Sequence, residues 1–288
     1  MRRSTMEVTP PVRTSGGRRM TTDMITVAAV QPLPKDYLMN PENVPYAIKL
    51  LADAARLGAD LACFPEGFPA TGEDAISTAA RDLDICVVAG FLPQEGDHLF
   101  NESIFIDGNG NVLGRHRKAC SVPGVEPYAC ADENYDIVET RWGTVGMLIC
   151  IEGWGMPEGF YQMHKAGVDL IINPNLIFRK KPQRRMSLLS RILDYKIPIV
   201  APNNAVWSFK VFPDDPGVPA EGGGSLILVP PAFETKEDVV KFMREASSCE
   251  EWIVAEGGHG EEILLADINL RAAKSTQILW YNCFTGLV

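Results

Sequence analysis

Positive charge is the scarcer sign in this chain: 27 Lys and Arg stand against 37 Asp and Glu, a formal net charge of −10 over 288 residues. Such a surplus of acid repels phosphate backbones and anionic membrane surfaces unless a local patch reverses the field. Nucleic acid and membrane are therefore not expected as partners. No apolar run approaches the ~18 residues that suggest a membrane-crossing helix, and no secretory apolar segment stands near the start. Histidine is sparse: His98, His116, His164 and His259 lie far apart, without carboxylates at metal-ligand spacing. There is no CxxC, so the sequence offers no structural zinc site and no metal is expected. Cys63, Cys86, Cys120, Cys130, Cys150, Cys249 and Cys283 make an odd count. That speaks against a disulfide framework and for a reducing compartment, the cytoplasm.

What is present is ordinary for a globular protein, with 46% hydrophobic and 22% charged residues. The charge is unevenly spread. Residues 1–24 carry Arg2, Arg3, Arg13, Arg18 and Arg19 against Glu7 and Asp23, a net of +3, which leaves −13 for the rest. With Pro10-Pro11, Gly16-Gly17 and few periodic apolar residues, this head reads as a disordered basic extension. An organellar transit peptide, or translation from Met20 or Met24, would also fit it. Residues 25–288 show no repeat, low-complexity tract or linker and read as one domain.

Within that domain, apolar runs at 25–30, 60–64, 85–91, 144–150, 169–173, 198–202, 225–229 and 263–268 predict strands. Helical spacing predicts helices over 41–58, 75–83, 157–166 and 184–195. Asp107-Gly108-Asn109-Gly110 between two further runs (103–106 and 112–117) is a hairpin signal. Strands alternate with helices but hairpins interrupt them, which favours a layered α/β fold with mixed sheets.

Three polar residues stand where a strand stops: Glu66, Lys118 and Cys150. A rigid sheet can hold side chains from such exits together. Singly, none carries weight, because an isolated buried Cys is usually structural and a lone Glu or Lys is usually solvated. The surrounding segments carry more. "ADLACFPEGFP", "VLGRHRKACSVPGVEPY" and "GTVGMLICIEGW" occur in that order, followed by "DLIINPN", "PIVAPNNAVW", "GGGSLIL" and "EEILLADINL". Together they resemble the nitrilase superfamily of carbon–nitrogen hydrolases, which includes amidases, carbamoylases and nitrilases.

That resemblance implies a four-layer α-β-β-α sandwich that assembles as a homodimer or larger homo-oligomer. It implies hydrolysis of a non-peptide C–N bond in a small-molecule amide, carbamoyl or nitrile substrate, with no cofactor. Cys150 matches the nucleophile, Glu66 the general base, Lys118 the residue that stabilises the tetrahedral intermediate and Glu126 the acid supporting that lysine. Glu133 and Glu139 are weaker matches for the last role. The thiolate attacks through a thioester, and charge on the substrate oxygen needs fixed donors, here Lys118 and the backbone N–H of Ile151. Acyl transfer would use the same thioester, and a nitrile would enter by the same attack. A scaffold without catalysis would leave the set unused.

Departures from the family pattern bear on substrate. Ile151 and Trp154 replace an aromatic residue and an arginine common after the cysteine, while Glu152 keeps the acid. Glu152, Trp154 and Asn175 are accordingly expected to line the substrate site, and Asn203 and Asn204 either contact substrate or cap turns. The segment from Glu66 to Ala79 is short, which predicts an open entrance. Residues 230–252 are longer than usual and contain "KEDVVKFMREA", a helix expected to cover the site or pad a subunit contact. The basic run Arg179-Lys180-Lys181, with Arg184 and Arg185, is either a solvated loop or an attractor for anionic substrate.

Overall fold

The computed structural model describes residues 23–131, 135–177, 182–208, 210–215, 220–245 and 249–285. The first 22 residues, Glu133 and the run Arg179–Lys181 lie outside them. The chain opens with β1 (Met24–Gln31), α1 (Asn43–Arg56), β2 (Leu61–Cys63), β3 (Pro69–Ala70), α2 (Glu73–Leu83) and β4 (Cys86–Phe91). A short ribbon follows, β5 (Gln94–Glu95) with β6 (His98–Leu99), then β7 (Glu102–Ile106), β8 (Val112–Arg117), β9 (Ile137–Glu139) and β10 (Thr144–Met147). Next come α3 (Ile151–Trp154), α4 (Pro157–Lys165), β11 (Leu170–Ile172), α5 (Pro182–Tyr195), β12 (Ile199–Ala201), β13 (Val206–Trp207), β14 (Ala220–Glu221) and β15 (Leu226–Leu228). The chain ends with α6 (Lys236–Glu245), a 3₁₀ turn (Cys249–Trp252), β16 (Ile253–Glu256), β17 (Glu262–Asn269) and α7 (Leu270–Thr285).

Two mixed sheets result, in the orders β17-β1-β2-β4-β7-β8, with β3 beside β4, and β16-β15-β12-β11-β10-β9. Side-chain alternation assigns each strand's two faces to different layers. Ala28 and Val30 of β1 join Ala62, Phe64, Val87 and Ala89 under Ala47, Leu50, Leu51 and Ala54 of α1 and Ile76 of α2. Ile25, Val27 and Ala29 point the other way, with Leu61, Cys63 and Val88, against Val145, Met147, Ile172, Val200 and Ile227 of the second sheet. That sheet's outer face, Ile171, Ile199, Leu226 and Leu228, packs on Phe160 and Met163 of α4 and Leu188 and Ile192 of α5. The layers run helix, sheet, sheet, helix: the α-β-β-α sandwich. The central strands are buried on both faces, which is why they read as continuous apolar runs.

Strand direction brings the polar exits together. β2 runs parallel to β4, β4 antiparallel to β7 and β7 antiparallel to β8, so β2 and β8 end on the same edge. Glu66 and Lys118 follow those ends. β10, β11 and β12 are mutually parallel, so the loops carrying Cys150, Asn175 and Asn203 also share one edge. There Asn175 and Asn203 form a parallel bridge, and the Cys150 N–H donates to Pro174 O at 2.7 Å.

Several elements differ from the sequence reading. The strand expected over 144–150 stops at Met147, because the chain turns sharply into α3. The helix expected in the long late segment exists as α6, but it does not cover the site. Val239 is its buried residue, and Phe242 packs on Phe233, Trp252 and Trp280 of α7, while Val240 and Met243 face solvent. α7 and β16 were not anticipated. Among the described residues, no helix is long and apolar enough to cross a membrane.

Candidate active site

Glu66 reaches its place through a loop that only a glycine neighbour permits. A Cβ on Gly90 of β4 would stand 2.5 Å from Gly67 N, 2.7 Å from Pro65 O and 3.0 Å from Phe68 N. The missing side chain lets the Glu66 loop lie on the strand. Glu66 is fully buried, and three donors converge on its carboxylate. Asn101 Nδ2 and Lys118 Nζ each donate to Oε1 at 2.8 Å, and the Leu176 N–H donates to Oε2 at 2.9 Å. The shortened segment after Glu66 thus leaves no part of the base open to solvent.

Lys118, also without exposed surface, is clamped from the other side by Glu126, with Nζ 2.8 Å from Oε1 and 2.9 Å from Oε2. Glu126 is in turn fixed by the Val122 N–H at 3.1 Å. Burial works against the Lys118 ammonium, but Glu66, the Cys150 sulfur and Glu126 outweigh it and hold the lysine well above its ordinary range. Burial, and then the Glu66 charge, pushes the Glu126 carboxyl above its ordinary range despite Lys118. The lysine therefore stays charged between two acids.

Cys150 sits at a sharp strand-to-helix turn. Its backbone (φ 52°, ψ −114°) lies outside the regions that L-residues prefer. Asn173 Nδ2 holds the turn by donating to Leu148 O and Cys150 O at 2.5 and 3.1 Å. A Cβ on Gly153 would stand 2.5 Å from that same Nδ2, so the first turn of α3 can close only on glycine. The turn sets the Ile151 N–H at the first position of α3, where no intrahelical acceptor exists. Burial, and then Glu66, raises the Cys150 thiol above its ordinary range, with Lys118 and the Leu176 N–H pulling the other way. The sulfur is thus a thiol at rest, and an acceptor must take its proton during attack.

Other sequence-predicted residues fall elsewhere. Glu152 is buried and spent on the protein itself. Its carboxylate accepts the Ala119 and Ile149 N–H groups, each at 2.7 Å, and its Oε2 lies 2.7 Å from His116 Nε2. Burial would raise it, but His116 and those donors outweigh burial and lower it. Glu152 therefore ties the residue after Lys118 to the residue before Cys150, instead of facing substrate. Trp154 packs among the residues between the second sheet and its helices, with Leu148 and Phe160. Asn175 is buried and turns its amide onto Asn173 O and Oδ1. Glu139, the weaker match for the supporting acid, pairs in β9 opposite Thr144.

Two residues of the site went unread in the sequence. Asn101 holds Glu66 and also accepts the Lys118 N–H on its backbone oxygen at 2.8 Å. Tyr128, two residues beyond Glu126, is buried with a hydroxyl that has no hydrogen-bond partner among the described residues. Burial, and then Glu66, raises it, with Glu126 and Cys150 adding to the rise and Lys118 opposing it. Its hydroxyl thus stands within the field of all four groups. The Glu126-Pro127-Tyr128 spacing was the available signal. Cys63, by contrast, is sealed between the two sheets.

One family profile, Carbon-nitrogen hydrolase, matches residues 26–277. The chain belongs to the carbon–nitrogen hydrolase family. Among curated relatives, a nitrilase of Pyrococcus abyssi is 28% identical over 186 residues, 56% of this chain and 68% of that one. An N-carbamoylputrescine amidase of Oryza sativa is 25% identical over 53% of this chain and 58% of its own. Among solved structures, a carbon–nitrogen hydrolase of Helicobacter pylori G27 superposes with a TM-score of 0.73 at 16% identity, covering 92% of this chain and 98% of that chain. An amidase of Nesterenkonia AN1 gives 0.68 at 16%, covering 88% and 93%. These structural likenesses establish the fold shared across carbon–nitrogen hydrolases. The protein is an enzyme of that superfamily.

Proposed function

We propose that the protein hydrolyses a non-peptide C–N bond, an amide or N-carbamoyl amine, through a thioester on Cys150. One observation carries this reading: the Leu176 N–H lies against both the Glu66 carboxylate and the sulfur of the strained, buried Cys150, and Lys118 bonds that same glutamate and Glu126 in one buried array. In this scheme Glu66 accepts the thiol proton as sulfur adds to the carbonyl carbon. Lys118 and the Ile151 N–H hold the oxyanion, and Glu126 keeps the lysine aimed. Glu66 then protonates the departing ammonia or amine as the C–N bond breaks. Water, deprotonated by Glu66, adds to the thioester, and collapse releases the acid and restores the thiol.

The amide reading gains support from the Nesterenkonia sp. AN1 amidase. A mutant of it (TM-score 0.69, 16% identity) shows covalent addition of the acetamide moiety of fluoroacetamide at its active-site cysteine. The Pyrococcus abyssi relative keeps nitriles in the test panel. The experiment is ammonia release from amides, carbamoyl amines and nitriles, with intact-mass analysis after fluoroacetamide. An adduct on Cys150, and loss of turnover in Cys150→Ala, is expected. An adduct on Cys63 or Cys120, with full turnover in Cys150→Ala, overturns the assignment. Products formed with and without added amine separate hydrolysis from acyl transfer. We place the enzyme in the cytoplasm as a homodimer, which cell fractionation and sedimentation would check.

A further inference from the structure

Arg184 and Arg185 are neighbours at the start of α5 with opposite fates. Arg185 is partly exposed and satisfied by acids, forked on Glu250 and 3.3 Å from Glu256. Arg184 is only 4% exposed and meets no carboxylate. Its Nη2 donates to Gly224 O, and its Nη1 is buried with no partner among the described residues. In a chain with ten more acids than bases, a buried guanidinium left without an acid is unusual. An uncompensated buried charge is costly to keep.

Its position shows what the charge faces. Gly224 belongs to the Gly222-Gly223-Gly224 turn, and the Gly223 N–H donates to Asn204 O at 2.6 Å, while Asn203 Nδ2 donates to Gly223 O at 2.7 Å. Asn204 Nδ2 reaches back to the backbone oxygen of Glu66 at 3.5 Å, and Asn203 Oδ1 accepts the Ile177 N–H at 3.0 Å, beside the Leu176 N–H that holds Glu66. The guanidinium thus abuts the wall that carries the base. Burial lowers it to about 10, which leaves it charged at neutral pH.

We propose that Arg184 anchors a carboxylate on the substrate, so that the amide or carbamoyl group cleaved at Cys150 belongs to a small organic acid. The free Nη1 supplies the donor and the buried charge supplies the discrimination. A substrate lacking the carboxylate would leave the guanidinium unpaired, and that penalty separates acids from their neutral analogues. This inference rests on the hydrolase reading, and two measurements keep the two apart.

The first is equilibrium binding to the Cys150→Ala protein, with succinate and glutarate as probes and their dimethyl esters as controls, in wild-type and Arg184→Met backgrounds. Binding of a dicarboxylate, absent for the esters and lost in Arg184→Met, is expected even if no amide is turned over. Equal binding in both backgrounds overturns the proposal. The second compares kcat/KM for succinamic acid and its methyl ester. The wild type should prefer the acid by roughly 100-fold or more, and Arg184→Met should lose that preference while still hydrolysing the ester. Retention of the preference in Arg184→Met overturns the proposal. Folding supplies a third readout. Replacing an unpaired buried cation with an apolar chain of similar length should leave Tm unchanged or raise it, whereas a purely structural arginine would give a lower Tm and an unchanged acid-to-ester ratio.

Discussion

At the scale of single residues, the proposed mechanism divides the site into groups that react and groups that hold them. Cys150→Ala should cut turnover by about 10⁴-fold or more with the fold intact, which circular dichroism beside an ammonia assay would show. Glu126→Gln is subtler. The amide keeps one acceptor for Lys118 but loses the charge, so kcat should fall by about 100-fold, the usual cost of weakening an oxyanion donor. The Glu126 carboxyl is raised by burial and Glu66, so it takes up its proton at a higher pH than an ordinary glutamate, about 4.3. As pH falls, the hold on Lys118 is therefore lost early, and the acid limb of kcat/KM should lie above that value. In Glu126→Gln the limb should move; an unchanged limb would mean that this carboxylate does not govern it. Tyr128→Phe tests the orphan hydroxyl. Since no described protein group bonds it, Tm should not fall, whereas KM should rise by about 10-fold if the hydroxyl meets substrate, the cost of one neutral hydrogen bond.

At the scale of elements, the strand exits are held in register by side chains bonded within the protein. Glu152 spans from the end of β8 to the end of β10 through Ala119 and Ile149. Glu152→Gln breaks a fully buried pair with His116 and should cost about 3 kcal/mol in urea unfolding. Because Glu152 is lowered in the fold, its stabilisation is present above the unfolded value near 4.3 and is lost as pH falls through its lower folded value. The variant should therefore show a flatter loss of stability on the acid side. Gly90→Ala should displace the Glu66 loop, lowering kcat together with about 1–3 kcal/mol of stability from overpacking.

Glu66, Lys118 and Cys150 could be read as candidates because each stands just past a predicted strand, and strands that run in one direction deliver such exits to one edge. Glu152 and Trp154 were misread because the strained turn at Cys150 starts a helix at once. Residues two and four places beyond the cysteine then point into the protein, which a strand-and-loop reading does not foresee. Asn101 and Tyr128 were not legible, and Arg184 was read only as part of a basic run, since having or lacking a partner is a property of the packed chain. α7 was overlooked because its buried residues, Leu270, Ala273, Thr276 and Gln277, include two polar ones that weaken the apolar stripe.

For the whole molecule, the decisive question is where the folded unit begins. We propose that residues 25–288 form the catalytic body and that the basic head is dispensable, in keeping with a family match that starts at residue 26. β1 is central to its sheet, paired along its full length with β17 and, in parallel, with β2, so nothing inside it can be removed. The residue before it also matters. Asp23 O accepts the Leu270 N–H at 3.0 Å, and its carboxylate lies 3.5 Å from Arg271, tying the residue before β1 to the first turn of α7. The two candidate internal starts therefore differ. A chain beginning at Met20 keeps this tie and should match the full sequence in Tm and kcat/KM. One beginning at Met24 loses a backbone hydrogen bond worth about 1 kcal/mol, and the exposed ion pair adds little to that. Its Tm should fall by about 2–4 °C while kcat/KM holds, because α7 lies away from the Cys150 edge. Calorimetry on the two truncations separates these outcomes, and lost turnover in the Met20 form would show that the head takes part in the enzyme.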